Sequence, residues 1–453
     1  MHLMAKSFSA SLATLVAMML FNVFADSRCA GDESAWPQFR GPSGQGRTNA
    51  SLPVDLTAPA NQVWATKPVG IGWSSPVVAN GQVWLTSAIT VQATEEEIAK
   101  KRIGAQFADT KTTERSAELH AICIDAESGK ILHDKILANL DSLELSHPLN
   151  SYATPTPVIA GNRVVCHFGS YGTWCLDTNS GKVVWDTKLV IDHSIGPASS
   201  PVVYRDKVLL VCDCIDKQFV AAVSIRDGKL VWKSNRPNFR ATNVEYMKAY
   251  STPLLIEVDE KPMAVIPGAQ WTVAYEPDTG KEIWRADCGD GFSTTPMAVY
   301  DDGLVVVSTG FHKPELVAIR PDGHGDVTET HIAWKVTRGV PALPCAVTLD
   351  GYIFTITDAG VMTCFEIKTG KEVNKVRIGG NFSSSILLAN KLLYVSDHDG
   401  KVSVVTADPE LKTIATNDFD CRIFASHAVV GNDLIIRTEK EVIRVADKAS
   451  LQR

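Results

Sequence analysis

No two cysteines are adjacent in this chain, and no Cys-x-x-Cys pair occurs. Ten cysteines in 453 residues are too sparse for a disulfide-built fold, and their spacing suits neither a zinc site nor thioredoxin-like chemistry. Basic charge is not in surplus: 44 Lys and Arg stand against 51 Asp and Glu, a net charge of -7, which argues against nucleic acid or an anionic membrane as partner. Beyond the leader, no apolar run approaches the ~20 residues of a membrane-spanning helix. Gly-x-Ser-x-Gly and His-Glu-x-x-His are absent, which removes the nucleophile elbow and the zinc-protease helix. The glycine-rich stretch Gly41-Pro42-Ser43-Gly44-Gln45-Gly46 follows no strand and lacks a Lys-Ser or Lys-Thr ending, so it reads as an irregular segment and not a phosphate loop.

What is present begins with a leader. Lys6 precedes an apolar run from Leu12 to Phe24, and Val23 and Ala25 are the small residues that signal peptidase requires. Residues 1–25 are therefore expected to be a signal peptide cut near Ala25, leaving an exported, periplasmic or extracellular chain with no transmembrane span. With 45% hydrophobic residues, the rest can bury a large core.

A repeat organises the chain after an irregular segment, 26–60. Small residue, Pro and apolar run recur at Ser75-Pro76, Thr156-Pro157, Ser200-Pro201, Thr252-Pro253, Thr295-Pro296 and Leu343-Pro344. Degenerate copies follow at Ser384-Ser385 and Ser426-His427. After a first spacing of 81 the intervals run from 41 to 52 residues, the length of a propeller blade. Each unit reads as four short strands with a Gly turn before the last. Gly181, Gly228 and Gly280 each precede a tryptophan (Trp185, Trp232, Trp284) by four residues. Gly supplies the positive φ of the hairpin, and the indole fills space between wedge-shaped sheets.

The fold class is all-β: an eight-bladed β-propeller of four-stranded antiparallel blades over residues 61–450. The eighth unit lacks an outer strand. Residues 62–68, with Trp64 at the repeat-tryptophan position, are expected to supply it and close the ring. The long first unit carries an insertion at about 87–117, where Thr94 and Glu97 fit a capping box. Cys166 and Cys175 flank Gly169 to Gly172 symmetrically, which predicts that they face each other across two strands, bridged or as paired thiols.

The repeat, whole at Asp177 to Trp185 as Asp-x-x-x-Gly-Lys-x-x-Trp, resembles the PQQ-like repeat of quinoprotein dehydrogenases and of the barrel-assembly lipoprotein BamB. Trp36-Pro37-Gln38-Phe39-Arg40-Gly41-Pro42 and the stretch from Ser308 to Gly323 are similar to exported PQQ-like propellers of planctomycete type. For an enzyme, the resemblance implies a quinone stacked between a tryptophan and a vicinal Cys-Cys disulfide, with carboxylate and amide ligands to Ca²⁺ and an Asp base.

With the innermost strand first, the second-to-third loops and the blade-to-blade linkers emerge at one end. That mouth collects the charged and imidazole groups His167, His193, Asp213, Asp216, Lys248, His312 and Lys313. It also collects Asn150, Tyr152, Tyr171, Tyr250, Trp271, Phe311, Asp358 and His398. These are the candidate ligand-binding residues; no metal site and no catalytic set is legible. The expected function is a binding or scaffolding module for a protein or polar ligand, without a cofactor. The alternative is a PQQ-like oxidoreductase, with PQQ and Ca²⁺.

Overall fold

The computed structural model describes residues 35–447. The leader and its cleavage position lie outside the described residues. Eight antiparallel sheets form a ring, each led by a short inner strand that follows the repeated small-residue and Pro position: Val77–Ala79, Val158–Ala160, Val202–Tyr204, Leu254–Val258, Val299–Asp301, Val347–Leu349, Leu387–Ala389 and Ala428–Val430. The small residue laces neighbours together. The backbone N–H of Ser75 donates to the Thr156 hydroxyl (2.9 Å), Thr156 to Ser200 (3.0 Å) and Ser200 to Thr252 (3.0 Å). Cys345 and Ser385 continue the lacing, donating to Ser385 and Ser426. A hydroxyl thus satisfies an amide that a wedge-shaped sheet leaves unpaired at its inner end.

The tryptophans act between blades. Trp185 donates its indole N–H to the Ile225 carbonyl (2.8 Å), Trp232 to Pro277 (3.1 Å) and Trp334 to Ile367 (2.9 Å), each acceptor lying three residues before a turn glycine of the next blade. The ring lies flat against that glycine. A Cβ at Gly228 would stand 2.6 Å from Trp185, so this turn needs Gly both for its φ of +69° and for the absent side chain. The first blade has His133 in the tryptophan's place, and it packs against Gly181 in the same way.

The closure expected from residues 62–68 is present. Gln62–Thr66 pairs antiparallel with Val442–Val445 as the outer strand of the eighth blade. Trp64 then donates to the Ala126 carbonyl (3.0 Å) and covers Gly129 of the first blade, repeating the docking seen elsewhere.

Residues 35–60 are irregular yet tightly held. Trp36 exchanges backbone hydrogen bonds with Val78 of the first blade, and Pro37 accepts from Ile159 of the second. On the far side of the ring, Gln45 bonds the Tyr300 carbonyl and Arg40 the Ala346 carbonyl, and Arg47–Thr48 pairs in parallel with Leu387–Ala389. The segment therefore crosses the central channel and fills it toward the inner hairpin turns, the end opposite the mouth. Arg40, 2% exposed, also donates to the Gly44 and Gln45 carbonyls and holds the glycine-rich loop in shape.

In the first blade the second and third strands, Gln82–Gln92 and Glu114–Asp125, run further than the sequence suggested and shorten the insertion to 93–113. Its helix, Glu95–Arg102, has the Thr94–Glu97 capping box and no buried residue.

The expected juxtaposition of Cys166 and Cys175 is incorrect. Cys166 pairs with Trp174 and Val165 with Cys175, because the connection contains a 3₁₀ turn, Gly169–Tyr171, that centres the hairpin on Ser170. One step of register sends the two thiols to opposite faces. Cys166 packs with Trp84 and Cys123, and Cys175 with Trp185 and Cys212. Every cysteine among the described residues is a free thiol.

Candidate functional site

The mouth is built from the second-to-third loops and the blade-to-blade linkers. Its most buried polar group joins three segments far apart in sequence. Lys111, on the return of the insertion, donates to Glu245 Oε1 (2.7 Å) and to the Ser194 hydroxyl (2.7 Å). Ser194 in turn donates to Glu245 Oε1 (2.8 Å), and Lys248 binds Oε2. All four residues are 5% exposed or less. Burial opposes the Glu245 charge, but hydrogen bonds from Lys111 and Lys248 outweigh it and hold the carboxyl below its usual range. Burial lowers the Lys248 ammonium, with Glu245 pulling the other way.

Beside this group stands His193, whose imidazole lies 6.3 Å from the Tyr250 ring, and whose carbonyl accepts the Tyr250 hydroxyl (2.7 Å). Its Nδ1 is 3.4 Å from the Cys214 thiol, its buried Nε2 has no hydrogen-bond partner, and burial pushes its pKa down to about 4. The structure thus brings His193, Lys248 and Tyr250 together.

Most of the other candidates have partners of their own, though His167 and Asp216 lie near enough to His193 to interact with it through charge. His167 is buried, shares a 2.7 Å hydrogen bond with Thr173, and is pushed down to about 3 by burial. Tyr171 accepts the Glu144 N–H (2.9 Å), and Asn150 donates to the Ile195 and Pro197 carbonyls. Asp213, 1% exposed, takes the Arg236 guanidinium through both carboxylate oxygens, at 2.7 to 3.0 Å. Burial raises the Asp213 carboxyl and Arg236 pulls it back. Asp216 is exposed, accepts the Asp192 N–H (2.8 Å) and lies 3.5 Å from Lys217. Trp271 donates to the Asn238 carbonyl, and His312 and Lys313 are exposed on the fifth blade's loop.

Four residues escaped sequence reading. Glu245 and Lys248 sit three apart on a turn capped by Asn243, a local signal, but Lys111 lies 134 residues from Glu245 and has none. Arg236 carries no mark beyond its charge. Arg437, 2% exposed, is held by Ser74 through its carbonyl (2.8 Å) and hydroxyl (2.6 Å) and has no carboxylate partner among the described residues. Burial lowers it to about 9. Next to Ser74, Trp73 stacks on Phe424 at 4.5 Å, and His398 lies 4.5 Å from the same ring.

The rim carries exposed aromatics in a row. Phe107 of the insertion is 6.2 Å from Tyr246, Tyr246 is 4.6 Å from Phe292, and Phe292 is 5.6 Å from Phe311. Phe107, Tyr246 and Phe311 are 49%, 37% and 56% exposed.

A family model, that of the outer membrane protein assembly factor BamB, matches residues 61–265, 268–325 and 325–410. The chain belongs to that family. This BamB-family chain superposes on solved propellers around the whole ring. BamB from Moraxella catarrhalis gives a TM-score of 0.56 at 13% identity, with 85% of this chain and 99% of that one covered. A europium-containing methanol dehydrogenase gives 0.64 at 11% identity, with 91% of each chain covered. The computationally designed Ika8 protein gives 0.55 at 10% identity, with 85% of this chain and 99% of that one covered. A likeness shared by an assembly factor, an enzyme and a designed protein reports the fold alone. No curated protein matches the sequence. No helix among the described residues is long and apolar enough to cross a membrane.

Proposed function

We propose that this protein is an exported binding or scaffolding module that engages a protein or polar ligand at its mouth face and performs no quinone chemistry. The observation that carries this reading is the contrast between interior and rim. Inside, Asp213 is occupied by Arg236 and Glu245 by two lysines. On the rim, Phe107, Tyr246, Phe292 and Phe311 form an apolar strip linking the insertion to the fifth blade, the kind of surface that marks an interaction site. The family's description as an outer membrane protein assembly factor supports a protein partner. The leader, with Leu12 to Phe24 apolar and Ala25 at the cut, supports export to the periplasm or beyond, and Trp36 to Pro42 supports a place among planctomycete-type propellers.

The residues present do not fit a quinone held over Ca²⁺. No adjacent cysteines exist to cover the ring. Among the described residues no three His, Cys, Asp or Glu converge as metal ligands. One observation favours the second reading, a quinone-dependent oxidoreductase. Arg437 is a buried cation without an anion among the described residues, bonded to Ser74, the neighbour of the Trp73 that stacks on Phe424, and a planar polycarboxylate would supply the missing charge.

The binding reading is tested by placing a photo-activated cross-linking residue at Phe311, on the mouth face, or at Arg226, on the opposite turns, in producing cells. A discrete protein adduct from position 311 and none from 226 is expected. Equal labelling from both faces, or none from either, contradicts it.

A further inference from the structure

A cleft of about 460 Å³ opens on the mouth side of the third blade, away from the central channel, between the turn at Lys217 and the linker that leaves the blade at Asn235. Its origin is local. Phe219 pairs with Asn235 across the outer two strands and Ala221 with Lys233, so Phe219 and Lys233 are diagonal neighbours on one face of the sheet. The Lys233 ammonium lies over the Phe219 ring, 4.0 Å from its centroid. Arg236, buried in the cleft wall, is spent on Asp213 and on the Ile266 and Pro267 carbonyls, and its N–H fixes the linker to Gln218. The wall is therefore rigid, and its guanidinium is neutralised.

Lys233 is left. It has no carboxylate within ion-pair distance among the described residues, and Lys217 across the cleft donates to the Val190 carbonyl (2.8 Å) and lies 3.5 Å from Asp216, with donor capacity to spare. No acidic side chain lines the cleft, whereas Phe219, Phe239 and Met247 give it an apolar side. Two cations, with rings and a thioether in the same cleft, suit an anion that carries an apolar body.

We propose that this cleft binds a carboxylate borne on an aromatic or aliphatic body, the acid at Lys233 and Lys217 and the body against Phe239 and Met247. A free small acid and the C-terminus of a peptide ending in an apolar residue present this same chemistry. The site is independent of what the central mouth holds.

The test is calorimetric titration of the whole mature protein with 3-phenylpropionate, with N-acetyl-Gly-Phe as free acid, with the amides of both, and with inorganic phosphate. At least one free acid is expected to bind at least tenfold more tightly than its amide and than phosphate. Lys233→Met, at an exposed position where the thermal midpoint should not move, is expected to lower that affinity at least tenfold. Phe239→Ala should weaken the acid while leaving phosphate unchanged. A peptide acid tenfold tighter than phenylpropionate identifies a peptide C-terminus, and equal or weaker binding identifies a small acid. Acid and amide binding alike, phosphate matching the acids, an unaffected Lys233→Met, or no binding at millimolar concentration overturns the proposal.

Discussion

At the residue scale, the tryptophans are the most legible feature of the chain, because glycine and indole four residues apart encode one half of a contact. The other half was hidden: Trp185 and Trp232 serve Gly228 and Gly280 of the following blade, 43 and 48 residues on, whereas the indole N–H of Trp284 finds no partner among the described residues. Trp64 has the same role without any local motif, since it closes the ring across the termini. Trp64→Ala is expected to cost about 3 to 5 kcal/mol, the range for deleting a buried aromatic, measured by denaturant unfolding against the parent. An unchanged midpoint would remove its part in closure.

The buried histidines set a second expectation. His167, His193 and His427 are pushed down by burial to about 3, about 4 and about 4, while an unfolded imidazole titrates near 6.5. The folded values lie below the unfolded ones, so the stability these groups confer is present above pH 6.5 and is lost as pH falls toward 4. His427 is bonded through Nε2 to Ser396, and its Nδ1 has no partner. His427→Gln is expected to reduce the pH slope of unfolding free energy between pH 6 and 5 by about one proton. Identical slopes for both proteins would contradict this.

At the element scale, strands and their order were readable because a Pro-led inner strand punctuates six of the eight units and a degenerate copy the other two. Three elements were not. The hairpin at Cys166 and Cys175 turned on a single residue of loop geometry, which side-chain pattern does not record. Residues 35–60 have no periodicity, since their hydrogen bonds go to the inner strands of many blades. The insertion's latch joins residues with no common motif. Glu245→Gln would leave Lys111 and Lys248 buried without an anion, a change that costs about 3 to 5 kcal/mol in buried pairs. Trypsin should then cut faster within residues 93–113 at native conditions, and the thermal midpoint should fall. Unchanged cleavage and midpoint would mean that the latch does not hold the insertion.

At the scale of the whole molecule, ring and mouth were legible but the state of the mouth was not. Sequence placed Asp213, Lys248 and His193 at one end correctly in topology, yet could not reveal that Asp213 is committed to Arg236 or that Lys248 shares a carboxylate with Lys111. These commitments, with the channel filled from the far side by residues 35–60, leave the rim as the open surface and underlie the choice of binding over redox chemistry. The most direct measurement is reconstitution of the mature protein with PQQ and Ca²⁺, followed by absorbance titration and dye reduction with a panel of alcohols and aldoses. The account predicts no stoichiometric quinone uptake and no substrate-dependent reduction. Saturable one-to-one uptake with turnover, lost on Arg437→Met, would contradict it.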